Sequence, residues 1–133
     1  MTAINGSAAA VTGAASGIGR ALAIELAARG CDLAIADRDE AGLAATAAEL
    51  ATRGRKVTTH RLDVSDAAQI QQFAQDATGA HPRLNIVVNN AGVALLGEFK
   101  EFDQAQFEWL MNINFWGVVH GTRAFLPHLE RQP

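Results

Sequence analysis

No tyrosine occurs in the 133 residues, so no phenolic acid or base can come from this chain. A single cysteine, Cys31, excludes an internal disulfide framework. It opens an apolar run, where a buried and inert thiol is expected. Basic residues are in deficit: 11 Lys and Arg against 14 Asp and Glu give a net charge of −3. That balance argues against a nucleic-acid partner, which wants a basic face. No apolar run approaches the ~18 residues of a membrane span, so no membrane partner is expected. The opening, Met1-Thr2-Ala3-Ile4-Asn5-Gly6, lacks the basic-then-apolar layout of a secretion signal, and the cytoplasm is the expected compartment. The four histidines, His60, His81, His120 and His128, have no ligand spacing, so no metal site is read.

What is present is an alternation. Short apolar runs at 8–12, 31–36, 56–62 and 84–88 read as strands. Between them, 18–29, 41–53 and 67–77 read as helices. Gly30 and Gly54 stop the first two, and Ser65 or Asp66 caps the third. Asp103 with Gln106 signals the start of a long helix running to about Leu129, with Pro127 distorting its last turns. Strands alternating with helices imply right-handed crossovers and an α/β doubly wound parallel sheet. Residues 1–133 read as one domain at most.

The residues with chemistry sit where strands end. Thr12-Gly13-Ala14-Ala15-Ser16-Gly17-Ile18-Gly19 lies between a strand and a helix. Gly13 permits a tight turn, Gly17 lets backbone approach a phosphate, and Gly19 lets the helix pack close. The helix start offers free N–H groups and its positive dipole end to a dinucleotide pyrophosphate, and Ser16 can add a hydroxyl. A plain tight turn is the rival reading. Asp37 ends the second strand about twenty residues later, where a carboxylate can accept from an adenosine ribose. Its charge would repel a 2′-phosphate, which favours NAD over NADP, although Arg38 beside it could pair with that phosphate. A solvated acidic corner is the alternative. Asp63, in Leu62-Asp63-Val64, could accept from an adenine amino group or simply cap the next helix with Ser65. Asn89-Asn90-Ala91-Gly92 ends the fourth strand. Its amides can tie loop backbones together and Gly92 can admit the cofactor, or the four residues form an ordinary turn.

In the long helix, Phe107, Leu110, Met111, Phe115, Val118 and Val119 mark an apolar stripe that includes Asn114. A buried amide there needs partners. Trp109, Ile113 and Trp116 form a second apolar face, which suggests cover by a partner subunit as well as by the sheet. Ordinary core packing is the other reading.

These pieces together resemble the classical short-chain dehydrogenase/reductase family, along the whole chain. The matching residues are the glycine turn at 12–19, Asp37, Asp63-Val64, Asn89-Asn90-Ala91-Gly92 and Asn112-Ile113-Asn114-Phe115-Trp116-Gly117. The resemblance implies a Rossmann fold, an NAD or NADP cofactor and hydride transfer to or from an alcohol or ketone. It carries Ile18, Val64 and Ala91 into the cofactor site with the residues above. It places Asn114 in a catalytic tetrad, supporting a proton-relay water. It also implies homo-oligomers through the long helix at 104–129. The family continues with a strand bearing a serine and then a Tyr-x-x-x-Lys helix. This sequence reaches Pro133 where that strand would begin, so the expected fold is the cofactor half, truncated after the fourth strand and its long helix. The edge of strand 84–88 is then a second route to self-association. A catalytically inactive dinucleotide-binding fragment is the alternative function.

Overall fold

The computed structural model describes residues 2–133. The elements are β1 (Ala8–Thr12), α1 (Gly17–Ala28), β2 (Asp32–Asp37), α2 (Glu40–Ala51), β3 (Val57–Arg61), α3 (Ala67–Ala80) and β4 (Leu84–Val88). A short 3-10 turn (Phe99–Glu101), α4 (Gln104–Met111), a π turn (Asn112–Trp116) and α5 (Gly117–Leu129) follow. The four strands form one parallel sheet in the order β3-β2-β1-β4. This is a Rossmann-like α/β architecture. The reversal of strand order between β1 and β4 opens a crevice at their carboxyl ends.

Local signals explain the elements. Gly30 and Gly54 take positive φ beyond α1 and α2, a conformation glycine adopts without penalty. Asp39 caps α2 through Gly42 N. Asp66, rather than Ser65, caps α3 through the N–H groups of Ala68 and Gln69. The Asp103–Gln106 capping box opens α4 as expected.

β1 and β2 are buried on both faces. Ala8, Ala10, Ala34 and Ala36 join one core with Ile70, Phe73 and Phe125. Ala9, Val11, Leu33 and Ile35 join the other with Ala23, Ala27 and Leu43. Cys31 is fully buried in that second core, and burial pushes its thiol up to about 11, which leaves it protonated and unreactive.

In α1 the bulky residues do not make the core face: Ile18 and Leu22 are exposed, while Gly19, Ala23 and Ala27 are buried. One expectation about helices needs correction. The long helix is not one continuous α-helix. The π turn at Asn112–Trp116 inserts a wide turn and shifts the register. As a result Ile113, Gly117, Gly121 and Phe125 face the core, whereas Met111, Phe115 and Val118 are exposed. Ile113 therefore leaves the second face assigned to it, and the exposed aromatics include Trp109, Phe115 and Trp116. Pro127 lies inside α5, and the helix continues past it to Leu129.

Candidate functional site

The carboxyl ends of the strands enclose a cavity of about 520 Å³. Gly13, Ser16, Gly17 and Ile18 line it from the turn after β1. Asp37 and Arg38 line it from the end of β2, Asp63 and Val64 from beyond β3, and Asn90, Ala91 and Gly92 from beyond β4. Its size is within the ordinary range for small-molecule sites. Ala36, Leu62 and Val93, which were not singled out from the sequence, also line it, as does Ile113, which the sequence reading put on the outer face of the long helix. The first two are strand-end residues, so the strand pattern itself could have named them.

The turn keeps its backbone open. Gly13 and Gly17 have φ of +67° and +55°, which a residue with a Cβ rarely adopts. A Cβ on Gly17 would meet nothing within 4 Å, so the strand-to-helix turn faces open space. Ser16 occupies the N-cap position of α1, but its side chain makes no capping hydrogen bond. The N–H groups of the first turn therefore have no side-chain acceptor. Gly19 does not line the cavity. It is buried behind it, and a Cβ there would drive into the Gly13 carbonyl and the Asn90 amide.

Asn90 and Thr12 knit the turn to the β4 loop. Asn90 Nδ2 donates to the carbonyls of Thr12 at 3.1 Å and Gly13 at 3.4 Å. Thr12 Oγ1 accepts from the N–H groups of Asn90 at 3.0 Å and Ala91 at 3.1 Å. The amide role was readable from Asn-Asn-Ala-Gly. The Thr12 hydroxyl was missed, and its signal was a lone polar residue ending an alanine strand.

Asp37 is held in place by the backbone. Oδ2 accepts from Ala15 N and Oδ1 from Asp39 N, each at 3.0 Å. Each carboxylate oxygen keeps a lone pair for a further donor. Asp63 Oδ1 accepts from both Ser65 N and Ser65 Oγ, at 2.9 and 2.7 Å. The Ser65 hydroxyl, more than any other neighbour, pulls the Asp63 carboxyl below its usual range, with help from the Arg38 and Arg61 charges. Asp63 thus orders its own loop and lines the cavity, while the cap of α3 falls to Asp66.

Asn114 is exposed, not buried as its place in the apolar stripe suggested. The π turn rotates it away from the core and toward the loop after β4. There Nδ2 donates to Val93 O at 2.7 Å and Oδ1 accepts from Val93 N at 2.8 Å. It does not itself line the cavity but fixes Val93, which does.

The family model for short chain dehydrogenases matches residues 7–133, and the chain belongs to that family. SadH of Mycobacterium tuberculosis is 42% identical over 130 residues, covering 97% of this chain and 47% of the relative. A short-chain dehydrogenase/reductase from Burkholderia phymatum, solved with NAD, is 40% identical with a TM-score of 0.93. The match covers 97% of this chain and 46% of that one. A metagenomic short-chain oxidoreductase solved with NADP is 32% identical with a TM-score of 0.89, covering 96% and 58%. The chain spans half or less of the length of the curated relatives it matches. Among the described residues, no helix is long and apolar enough to cross a membrane.

Proposed function

We propose that residues 1–133 form one dinucleotide-binding unit of an alcohol/ketone oxidoreductase, taking NAD in preference to NADP. The observation that carries this is the single cavity on which the uncapped start of α1, the tethered Asp37 and the Asn90–Gly92 loop converge. Its donor set fits the cofactor. Free N–H groups and a helix dipole suit a pyrophosphate, and a carboxylate suits ribose hydroxyls. In this reading the N–H groups around Gly17 and Ile18, with the Ser16 hydroxyl, hold the pyrophosphate. Asp37 takes the ribose, and Asp63 and Val64 flank the adenine. Asn90, Ala91 and Gly92 form the wall toward the nicotinamide.

When bound, the cofactor supplies or accepts the hydride. Asn114 orients the Val93 backbone beside the site and, by family resemblance, supports a proton-relay water. The 133 residues contain no tyrosine to act as acid or base. Loss of a general acid/base costs a factor of ~10² to 10⁴ in rate, so the chain by itself binds without turning over. The same reading holds a homo-oligomer through the exposed aromatics of α4 and the π turn or through the β4 edge, in the cytoplasm, with no nucleic-acid or membrane partner.

Calorimetric titration with NAD and NADP tests the binding. NAD is expected to bind more tightly, and Asp37→Ala to narrow the gap, since a like-charge contact is worth ~1 kcal/mol or more. Tighter NADP binding would hand the ribose end to Arg38. Robust ketone reduction by a chain of verified mass would refute the inactive reading.

A further inference from the structure

The glycine-rich turn is held from behind by α2, which touches no part of the cavity. Thr46 on α2 is fully buried. Its Oγ1 lies 3.0 Å from the Ala14 carbonyl, 32 residues earlier in the chain, and 3.2 Å from the carbonyl of Gly42. A hydroxyl carries one proton. Gly42 O sits inside α2, where the helix's own i→i−4 pattern supplies a donor. Ala14 O belongs to a turn and has no such pattern to draw on. The proton therefore does more at Ala14.

Two further contacts close the same clamp. Gly42 sits so near Ala15 that an added Cβ would lie 3.0 Å from the Ala15 Cβ and 3.1 Å from its carbonyl. On the cavity side, Ala15 N donates to Asp37 Oδ2 and Ala14 N to Ala36 O. The Ala14–Ala15 peptides are thus fixed on one side by Asp37 and on the other by Thr46. They lead directly into Ser16 and Gly17, whose backbone faces the cavity.

We infer that Thr46 is a positioning residue for dinucleotide binding: its buried hydroxyl sets the Ala14 carbonyl and hence the aim of the Ser16–Gly17 N–H groups. This rests on the dinucleotide reading above. Thr46→Val keeps the branched shape and removes the hydroxyl, leaving a buried carbonyl without its donor. Thr46→Ser keeps the hydroxyl and removes a methyl. Thr46→Ala serves where Thr46→Val does not fold, because it differs from Thr46→Ser by the hydroxyl alone.

Two readouts decide the matter. NAD affinity by calorimetry is expected to fall about tenfold in Thr46→Val and to stay within about twofold in Thr46→Ser, even though the serine variant melts lower. Amide hydrogen exchange at Ala14 and Ala15, measured without ligand, is expected to quicken in Thr46→Val and not in Thr46→Ser. The inference is overturned if Thr46→Val leaves exchange and affinity unchanged, or if Thr46→Ser weakens binding as much. Failure of the unaltered chain to bind NAD would overturn the dinucleotide reading, while the ligand-free exchange still decides whether Thr46 holds the turn.

Discussion

The two faces of the sheet solve the same packing problem in opposite ways. Toward α3 and α5 the buried apolar residues of the central strands are alanines, Ala8, Ala10, Ala34 and Ala36, and the helices bring the bulk. Phe73 and Phe125 meet there edge to face, with centroids 5.4 Å apart, an arrangement aromatic pairs favour. Toward α1 and α2 the strands supply Val11, Leu33 and Ile35, and α1 supplies Gly19, Ala23 and Ala27. Both faces fill their volume, and on the second α1 approaches closely at Gly19. That close approach brings the start of α1 to the Gly13 carbonyl and the Asn90 amide, beside the cavity. The α1 face is thus the one that carries the turn, and the Phe73–Phe125 pair supplies bulk on the other.

Substitutions that swap the two solutions should separate them. The largest effect is expected from Phe125→Ala, which empties the aromatic layer and should cost about 3–5 kcal/mol in denaturant unfolding. Ala27→Leu puts bulk where α1 must stay close and should cost about 1–3 kcal/mol. It should also weaken NAD binding, which Phe125→Ala should affect only through global stability. Equal effects of both on binding would erase the distinction. Asn114→Ala removes both side-chain partners of Val93 and should cost about 1 kcal/mol, with faster exchange confined to the loop after β4.

The smallest effect concerns the aromatic face and pH. His81 is buried, and Thr58 Oγ1 bridges its Nε2 and that of His60, each at 2.9 Å. Burial holds both imidazoles below their usual pKa of 6.5; the Lys56 charge adds to this at His81, while Asp32 opposes it there and Asp76 opposes it at His60. The unfolded chain therefore takes up these protons first. Stability is full above pH 6.5 and declines as pH falls below it toward the lowered folded values. The Tm should be flat above about pH 7 and fall by about pH 5.5, less steeply in His81→Gln.

The glycine-turn side was legible in the sequence because its constraints are local. A strand, three glycines and an acid at fixed offsets leave few other structures, and the cavity-lining residues follow from where strands end. The role of Gly19 as a close-contact residue was legible for the same reason. The long helix was not legible in the same way. Apolar spacing assumes a uniform 3.6-residue period, and the π turn breaks that period between Met111 and Gly117. Facings assigned across it from the spacing shift, so Ile113 goes in while Phe115 and Val118 come out. The same shift exposes Asn114. The Thr46 hydroxyl was invisible for a different reason: its partner is 32 residues away and pairs through backbone, which leaves no pattern of side chains to read.

The π turn also has a bearing on chain length. A helix that takes in one surplus residue must rotate everything beyond it by about 100°, unless a single wide turn absorbs the surplus. Asn112–Trp116 is such a wide turn. This stretch therefore works as a ledge with one residue of slack. Deleting Asn112 would let the helix relax to a regular spiral, with Gly117, Gly121 and Phe125 still seated on the sheet. Asn114 would be carried off Val93 in the process. Length variation at this ledge would thus be tolerated by the core and felt at the rim of the cavity.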